Sequence, residues 1–160
     1  MTLAHVAVLT PVVGNRPRRW FVRLTASPTT DRVLPVTATV DSFLDEYVRR
    51  YGERDMEGVT DLCVWPFVAI RNGEAIHLPD RDAVRDHFAS AIEAYRLATG
   101  VEKWTRVEIE ARQLGEHSVF ATVHWNALDA GGNVVRDTWT SYQLLATPAG
   151  WRLLSYTNHF

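Results

Sequence analysis

From Pro35 onward, Val36, Val40, Phe43, Leu44, Tyr47, Val48 and Tyr51 recur at spacings of three and four, the one-sided stripe of an amphipathic helix. Asp41, Asp45, Glu46, Arg49 and Arg50 fall largely between them, and Gly52 supplies a C-terminal stop. Asp55 is placed to cap a short second helix carrying Met56, Val59 and Leu62. Residues 65–70 form a compact β-prone run, Asn72-Gly73 predicts a tight turn, and residues 75–78 return as the second strand of a hairpin. Pro66 has no N–H to give a ladder, so it belongs at the start or on an edge of its strand. Pro79-Asp80 opens a third helix with Val84, His87, Phe88, Ala91, Ile92 and Tyr95 as its inward stripe, and Gly100 closes it.

After Gly100 the period changes from 3.6 to 2. In residues 104–114, Val107, Ile109 and Ala111 alternate with Arg106, Glu108, Glu110 and Arg112, which predicts a half-solvated strand. Residues 118–128 place Val119, Ala121, Val123, Trp125 and Ala127 on one face and Phe120, Thr122, His124, Asn126 and Leu128 on the other. Gly131-Gly132 marks a hairpin turn, residues 134–146 a long strand, residues 148–150 another turn, and residues 151–159 the last strand. The expected order is helix, short helix, hairpin, helix and four antiparallel strands. Helices gathered on one side of a curved antiparallel sheet make an α+β fold.

Composition adds that this is one ordinary globular domain with an unusual leader. The 160 residues are 46% hydrophobic and 22% charged, enough to build a core without staples. Cys63 is the single cysteine, which excludes a disulfide framework or a thiolate zinc cluster and reads as a small core residue. The net charge of −2 is a cancellation: residues 1–35 carry +4 and four of the seven prolines, and residues 36–160 carry −6. This divides the chain into a basic, proline-bearing extension (1–35) and an acidic domain (36–160). The extension's apolar stretch precedes its arginines, the reverse of a secretory signal, and no apolar run has the length of a membrane span. A cytoplasmic protein is expected, with no membrane or nucleic-acid partner. Sixteen of seventeen basic residues are Arg, a bias that suggests a GC-rich bacterial genome.

Four stretches carry a resemblance to a known family. They are the end of the first helix from Tyr47 through Gly52 to Glu57, Pro66-Phe67 followed by Gly73, the third-helix opening from Asp82 to Phe88, and Gly150-Trp151-Arg152-Leu153-Leu154. In this order and spacing, residues 36–160 resemble the nuclear transport factor 2-like superfamily, especially its bacterial SnoaL-like (polyketide cyclase-like) branch. The resemblance implies a cone-shaped curved sheet wrapped around three N-terminal helices, the cystatin-like roll, with a conical pocket open at one end. The family includes ketosteroid isomerases, dehydratases, polyketide cyclases and binding-only proteins, so the fold leaves the function open. In its isomerase-like members a carboxylate base precedes the proline of the first strand. Trp65 stands there in this chain, and an indole has no lone pair to shuttle a proton near neutral pH.

The expected pocket lining is Trp65, Phe67, His124, Tyr142 and His159. His124 is the candidate general base, because an imidazole titrates near neutral pH and it stands between Thr122 and Asn126 on one strand face. His159 follows Trp151 at a spacing found in some SnoaL-like members. Tyr47, Tyr95, Tyr142 and Tyr156 can each present a hydroxyl or complete the core. Asp137 is expected to pair with Arg106, Arg112 or Arg152 across the sheet. The six histidines include no i, i+4 pair and no HExxH, and no phosphate loop or nucleophile elbow is present, so neither a metal nor a cofactor is expected. Large apolar residues occupy both faces of the second and third long strands, which predicts a homodimer through the sheet. Three readings follow: binding of a small, largely apolar organic molecule; an enzyme (cyclase, dehydratase or isomerase) on a polyketide-like or steroid-like substrate; and a non-catalytic dimerisation or accessory module.

Overall fold

A computed structural model describes residues 36–159 of the chain, without the side chains of 36–38. The expected extension, residues 1–35, lies outside the described residues. The elements run α1 (Val36–Glu53), α2 (Met56–Asp61), β1 (Cys63–Arg71), β2 (Glu74–Leu78), α3 (Arg81–Thr99), β3 (Lys103–Gln113), β4 (Ser118–Leu128), β5 (Val134–Thr147) and β6 (Gly150–His159). This is the expected α+β order.

Local chemistry sets most boundaries. The Asp55 carboxylate accepts the Gly58 N–H at 2.9 Å and starts α2. Asp80 does the same for α3 through the Ala83 N–H, and Gly100, at φ 71°, donates its N–H to the Arg96 carbonyl to close it. Asn72 (φ 52°) and Gly73 (φ 77°) are both left-handed, as the tight β1–β2 turn requires. One stop moves: Gly52 stays helical, and the chain leaves α1 at Arg54, φ 60°.

The strands form one six-stranded sheet in the order β2-β1-β6-β5-β4-β3. Every neighbouring pair is antiparallel except β1–β6, which is parallel and joins the hairpin to the meander. Pro66, preceded by a cis peptide bond, sits where β1 has no partner: pairing with β6 breaks between Cys63 and Val68, and pairing with β2 begins at Phe67.

The three helices pack on one face of this sheet. Leu44 of α1, Phe88 of α3 and Phe67, Leu144 and Leu153 of the strands are the centre of the core, each fully or almost fully buried. Val119, Ala121, Val123, Trp125 and Ala127 of β4 all face inward, and Thr138, Thr140, Tyr142 and Leu144 stand beside them on β5. On β3 the expected alternation breaks. The register shifts between Arg106 and Glu108, so Val107 is exposed and Arg106 turns toward α1. There it pairs with Asp41 at 2.8 Å and Asp45 at 3.0 Å. Among the described residues, no helix is long and apolar enough to cross a membrane.

Candidate functional site

Between the helices and the inner face of the sheet lies a cleft, open at one side, with about 540 Å³ of empty space including its mouth. Its walls follow from periodicity. Tyr47 and Tyr51 are one turn apart on α1, Phe88 and Tyr95 two turns apart on α3, and Trp125, Tyr142 and Tyr156 hold inward positions of β4, β5 and β6. Trp104 of β3 completes a set of eight aromatic rings. The rings pack mostly edge to face: Tyr47 on Tyr142 at 5.8 Å, Tyr95 on Trp104 at 5.8 Å and Tyr51 on Trp104 at 6.3 Å between centroids.

Polar atoms enter this wall at few places, several of them tied to a partner. The buried Trp125 Nε1–H donates to the Tyr142 hydroxyl at 3.1 Å. Thr140 Oγ1 donates to Asn158 Oδ1 at 3.1 Å, and Asn158 Nδ2 reaches the Tyr95 hydroxyl at 3.4 Å. The Tyr156 hydroxyl lies 2.6 Å from Nε2 of His87, which stands behind it on α3. Burial, then the Arg71 charge, lowers the His87 pKa and favours the neutral imidazole. Burial raises the pKa of Tyr47, Tyr51, Tyr142 and Tyr156, so these phenols stay protonated. Among the described residues the lining holds no carboxylate and no histidine; it offers π faces, phenol and threonine hydroxyls and one amide. Nor does any cluster of three His, Cys, Asp or Glu among them suit a metal ion.

The sequence-derived site residues fall in separate places. Tyr142 lines the cleft. Phe67 is fully buried beneath it, its ring 5.8 Å from Phe88 and 6.0 Å from Tyr156. Trp65 is 46% exposed on the unpaired part of β1. His124 and His159 sit on the opposite, outer face of the sheet, directly across from Trp139 on its two neighbouring strands. The His124 ring stacks on Trp139 at 4.6 Å, and its Nε2 is 2.9 Å from Asp137 Oδ2. His159 Nε2 is 2.8 Å from Ser141 Oγ, which is 3.0 Å from Thr122 Oγ1.

A general base at His124 would therefore work on the outer face, since strand alternation turns it away from the cleft. Asp137 meets His124 instead of the expected arginines, because Arg106 is engaged by α1 and Arg152 donates to the Ala149 and Trp151 carbonyls. Cys63 is buried against the Val59 carbonyl, and burial raises its thiol pKa, consistent with a core role.

Trp104, Trp125, Tyr51 and Asn158 are cleft residues that the sequence reading did not single out. The i, i+4 relation of Tyr47 to Tyr51 was a visible signal for one of them.

Comparison with known proteins places this geometry. A family described as NTF2-like protein (DUF6841) matches residues 36–160. No curated protein matches the sequence. Among solved structures, Aln2 from a Streptomyces species superposes with a TM-score of 0.62 at 15% identity, covering 78% of this chain and 89% of that one. An NTF2-like protein with a cystatin-like fold from Novosphingobium aromaticivorans gives 0.59 at 18% identity, over 76% and 79% of the two chains. A domain of unknown function with a cystatin-like fold from Nostoc punctiforme gives 0.59 at 16% identity, over 76% and 75%. At these identities the likeness concerns the fold alone.

Proposed function

Because this chain belongs to the NTF2-like protein family DUF6841 through residues 36–160, we propose that its cleft binds a small, largely apolar organic molecule with an aromatic or similarly flat body. The observation that carries this reading is the ring of eight aromatic side chains around an open cleft of about 540 Å³. The four sequence stretches of the first helix, first strand, third helix and last strand support an assignment to the SnoaL-like branch. The arginine bias supports a bacterial source.

Calorimetric titration with trans-cinnamamide, a flat neutral probe, tests the reading. Wild-type protein should bind it, and Trp104→Ala should weaken binding about tenfold, since stacking on an aromatic wall contributes on the order of 1 kcal/mol. Absence of binding by a folded wild-type protein, to this probe and to its carboxylate counterpart alike, defeats the proposal.

The enzymatic alternative draws on one specific pair. His87 and the Tyr156 hydroxyl, 2.6 Å apart, could present a polarised phenol O–H to a carbonyl in the cleft. Turnover of any candidate ketone should then fall at least a hundredfold in Tyr156→Phe; unchanged turnover removes the pair from the chemistry. The same enzyme reading no longer draws support from His124.

The outer face is read as the contact with a second copy. Among the described residues no helix covers it, and it carries Phe120, 43% exposed, beside the Trp139–His124 stack. Sedimentation should give twice the 18.2 kDa chain mass, and Trp139→Arg should halve it. A wild-type species of single-chain mass defeats the dimer.

A further inference from the structure

The inward rows of two strands change character along their length. On β5 the row reads Leu144, Tyr142, Thr140, Thr138, Arg136, and on β1 it reads Phe67, Ala69, Arg71. Both rows begin apolar and end in arginine at the same place. The Arg136 guanidinium carbon lies 5.0 Å from the centroid of the Tyr95 ring and that of Arg71 lies 5.5 Å from it. Tyr95 itself lines the cleft, and the Asn158 amide touches its hydroxyl. Two guanidinium groups therefore stand against one of the cleft's own rings, beside its lining and outside it.

Among the described residues, Arg71 has a charge without a carboxylate to meet it. Glu74 faces it in the β1–β2 register yet forms no ion pair with it, and no other Asp or Glu among the described residues does so. Its Nε is buried and has no hydrogen-bond partner among the described residues. A buried donor left in that condition carries an uncompensated desolvation cost, larger where the group is charged. The arginines of the helices differ: Arg49, Arg50, Arg81, Arg85 and Arg96 are all engaged by neighbouring carboxylates. The Arg71 charge also reaches into the cleft, where it acts on Tyr51, Tyr156 and the His87 behind it.

We propose that the cleft takes an organic acid, its apolar body among the rings and its carboxylate on Arg71, with Arg136 alongside. The proposal rests on the cleft being a binding site. Stacking on Tyr95 holds the planar guanidinium in place, so little rotamer freedom remains to be lost when the two N–H groups meet a carboxylate. A neutral ligand of the same shape gains the rings and leaves Arg71 as it is. The site thus selects by charge beside its lining and by shape inside.

The test compares trans-cinnamate with trans-cinnamamide by calorimetry on the full chain. Wild-type protein should bind the acid about tenfold or more tightly than the amide, the usual margin of a charge-assisted pair over a neutral one. Arg71→Gln should bring the two affinities together by weakening the acid alone, and Arg71→Lys should keep part of the preference. Added salt should weaken the acid and spare the amide. Equal wild-type affinities overturn the organic-acid assignment while leaving the cleft as an aromatic binding site. A preference that survives intact in folded Arg71→Gln overturns the role of Arg71. If neither compound binds, the cleft reading itself fails and this proposal falls with it.

Discussion

Strands β4 and β5 present two faces made from alternate residues of the same two segments, and the faces have opposite chemistry. Inward stand Val119, Ala121, Val123 and Trp125 with Thr140, Tyr142 and Leu144, all buried. Outward stand Phe120, Thr122 and His124 with Asp137, Trp139 and Ser141. Each face has one tryptophan, and the two are used differently. Trp125 gives its indole N–H to Tyr142 inside the aromatic wall, whereas Trp139 is stacked under an imidazole on the open side. The titratable side chains that could move a proton near neutral pH are displaced from the sheet's inner face. The nearest such group to the cleft, His87, arrives from a helix and is screened behind Tyr156. The difference teaches that the inner face of these two strands is built mainly from rings and aliphatic side chains around a few paired hydroxyls, while their outer face carries the imidazole and carboxylate groups.

The comparison can be broken most directly by removing one phenylalanine from each side. Phe88 is 2% exposed and its ring meets those of Tyr47, Tyr51, Phe67 and Tyr156. Phe88→Ala should cost about 3–5 kcal/mol in a chemical denaturation series. Phe120→Ala, on the open face of the isolated chain, should cost no more than about 0.5 kcal/mol. Comparable losses in the dissociated chain would mean that the outer face is packed within the chain itself, whereas a loss seen only where the chain associates would belong to the proposed dimer.

A smaller effect separates the faces by binding. His124→Ala should leave trans-cinnamamide affinity within about twofold of wild type, against the tenfold loss expected in Trp104→Ala. A large loss in His124→Ala would move the binding site to the outer face.

The smallest effect concerns pH. Burial, aided by the Arg71 charge, lowers the His87 pKa in the folded protein, so the folded state resists protonation there more than the unfolded chain does. Its contribution is fully present above the unfolded value of about 6.5 and is lost as pH falls through that value toward the depressed one. The denaturation midpoint should therefore decline between about pH 7 and pH 5, and His87→Gln should flatten part of that decline. An unchanged slope in the variant would show that His87 ionises alike in both states.

Much of this architecture is legible residue by residue. Asp55 and Asp80 are caps that the chain announces before each helix, and Asn72-Gly73 fixes the hairpin because both positions need a left-handed backbone. Alternation on β4 is unbroken, so its two sets of residues separate without a structure. The site is less legible for two reasons. Val107 looks like part of an alternating row, but a bulge removes it and brings Arg106 to Asp41 and Asp45, which lie far earlier in the chain, on α1. Likewise, Phe67 has the right composition for a pocket wall yet is sealed under Phe88 and Tyr156.

What the amino-acid order determines here is local: where helices start, where strands turn, and which side chains share a face. These depend on backbone conformation and short-range hydrogen bonds, whose partners are a few residues apart. Which face becomes the wall of a cleft is decided only when α1 and α3 dock on the curved sheet. Trp125 and Trp139, or His124 and Thr140, exchange places with a choice of side that neither strand makes alone. The tertiary packing also places Arg71 and Arg136 against one tyrosine ring from strands far apart in the chain. That meeting of rows is absent from any local pattern.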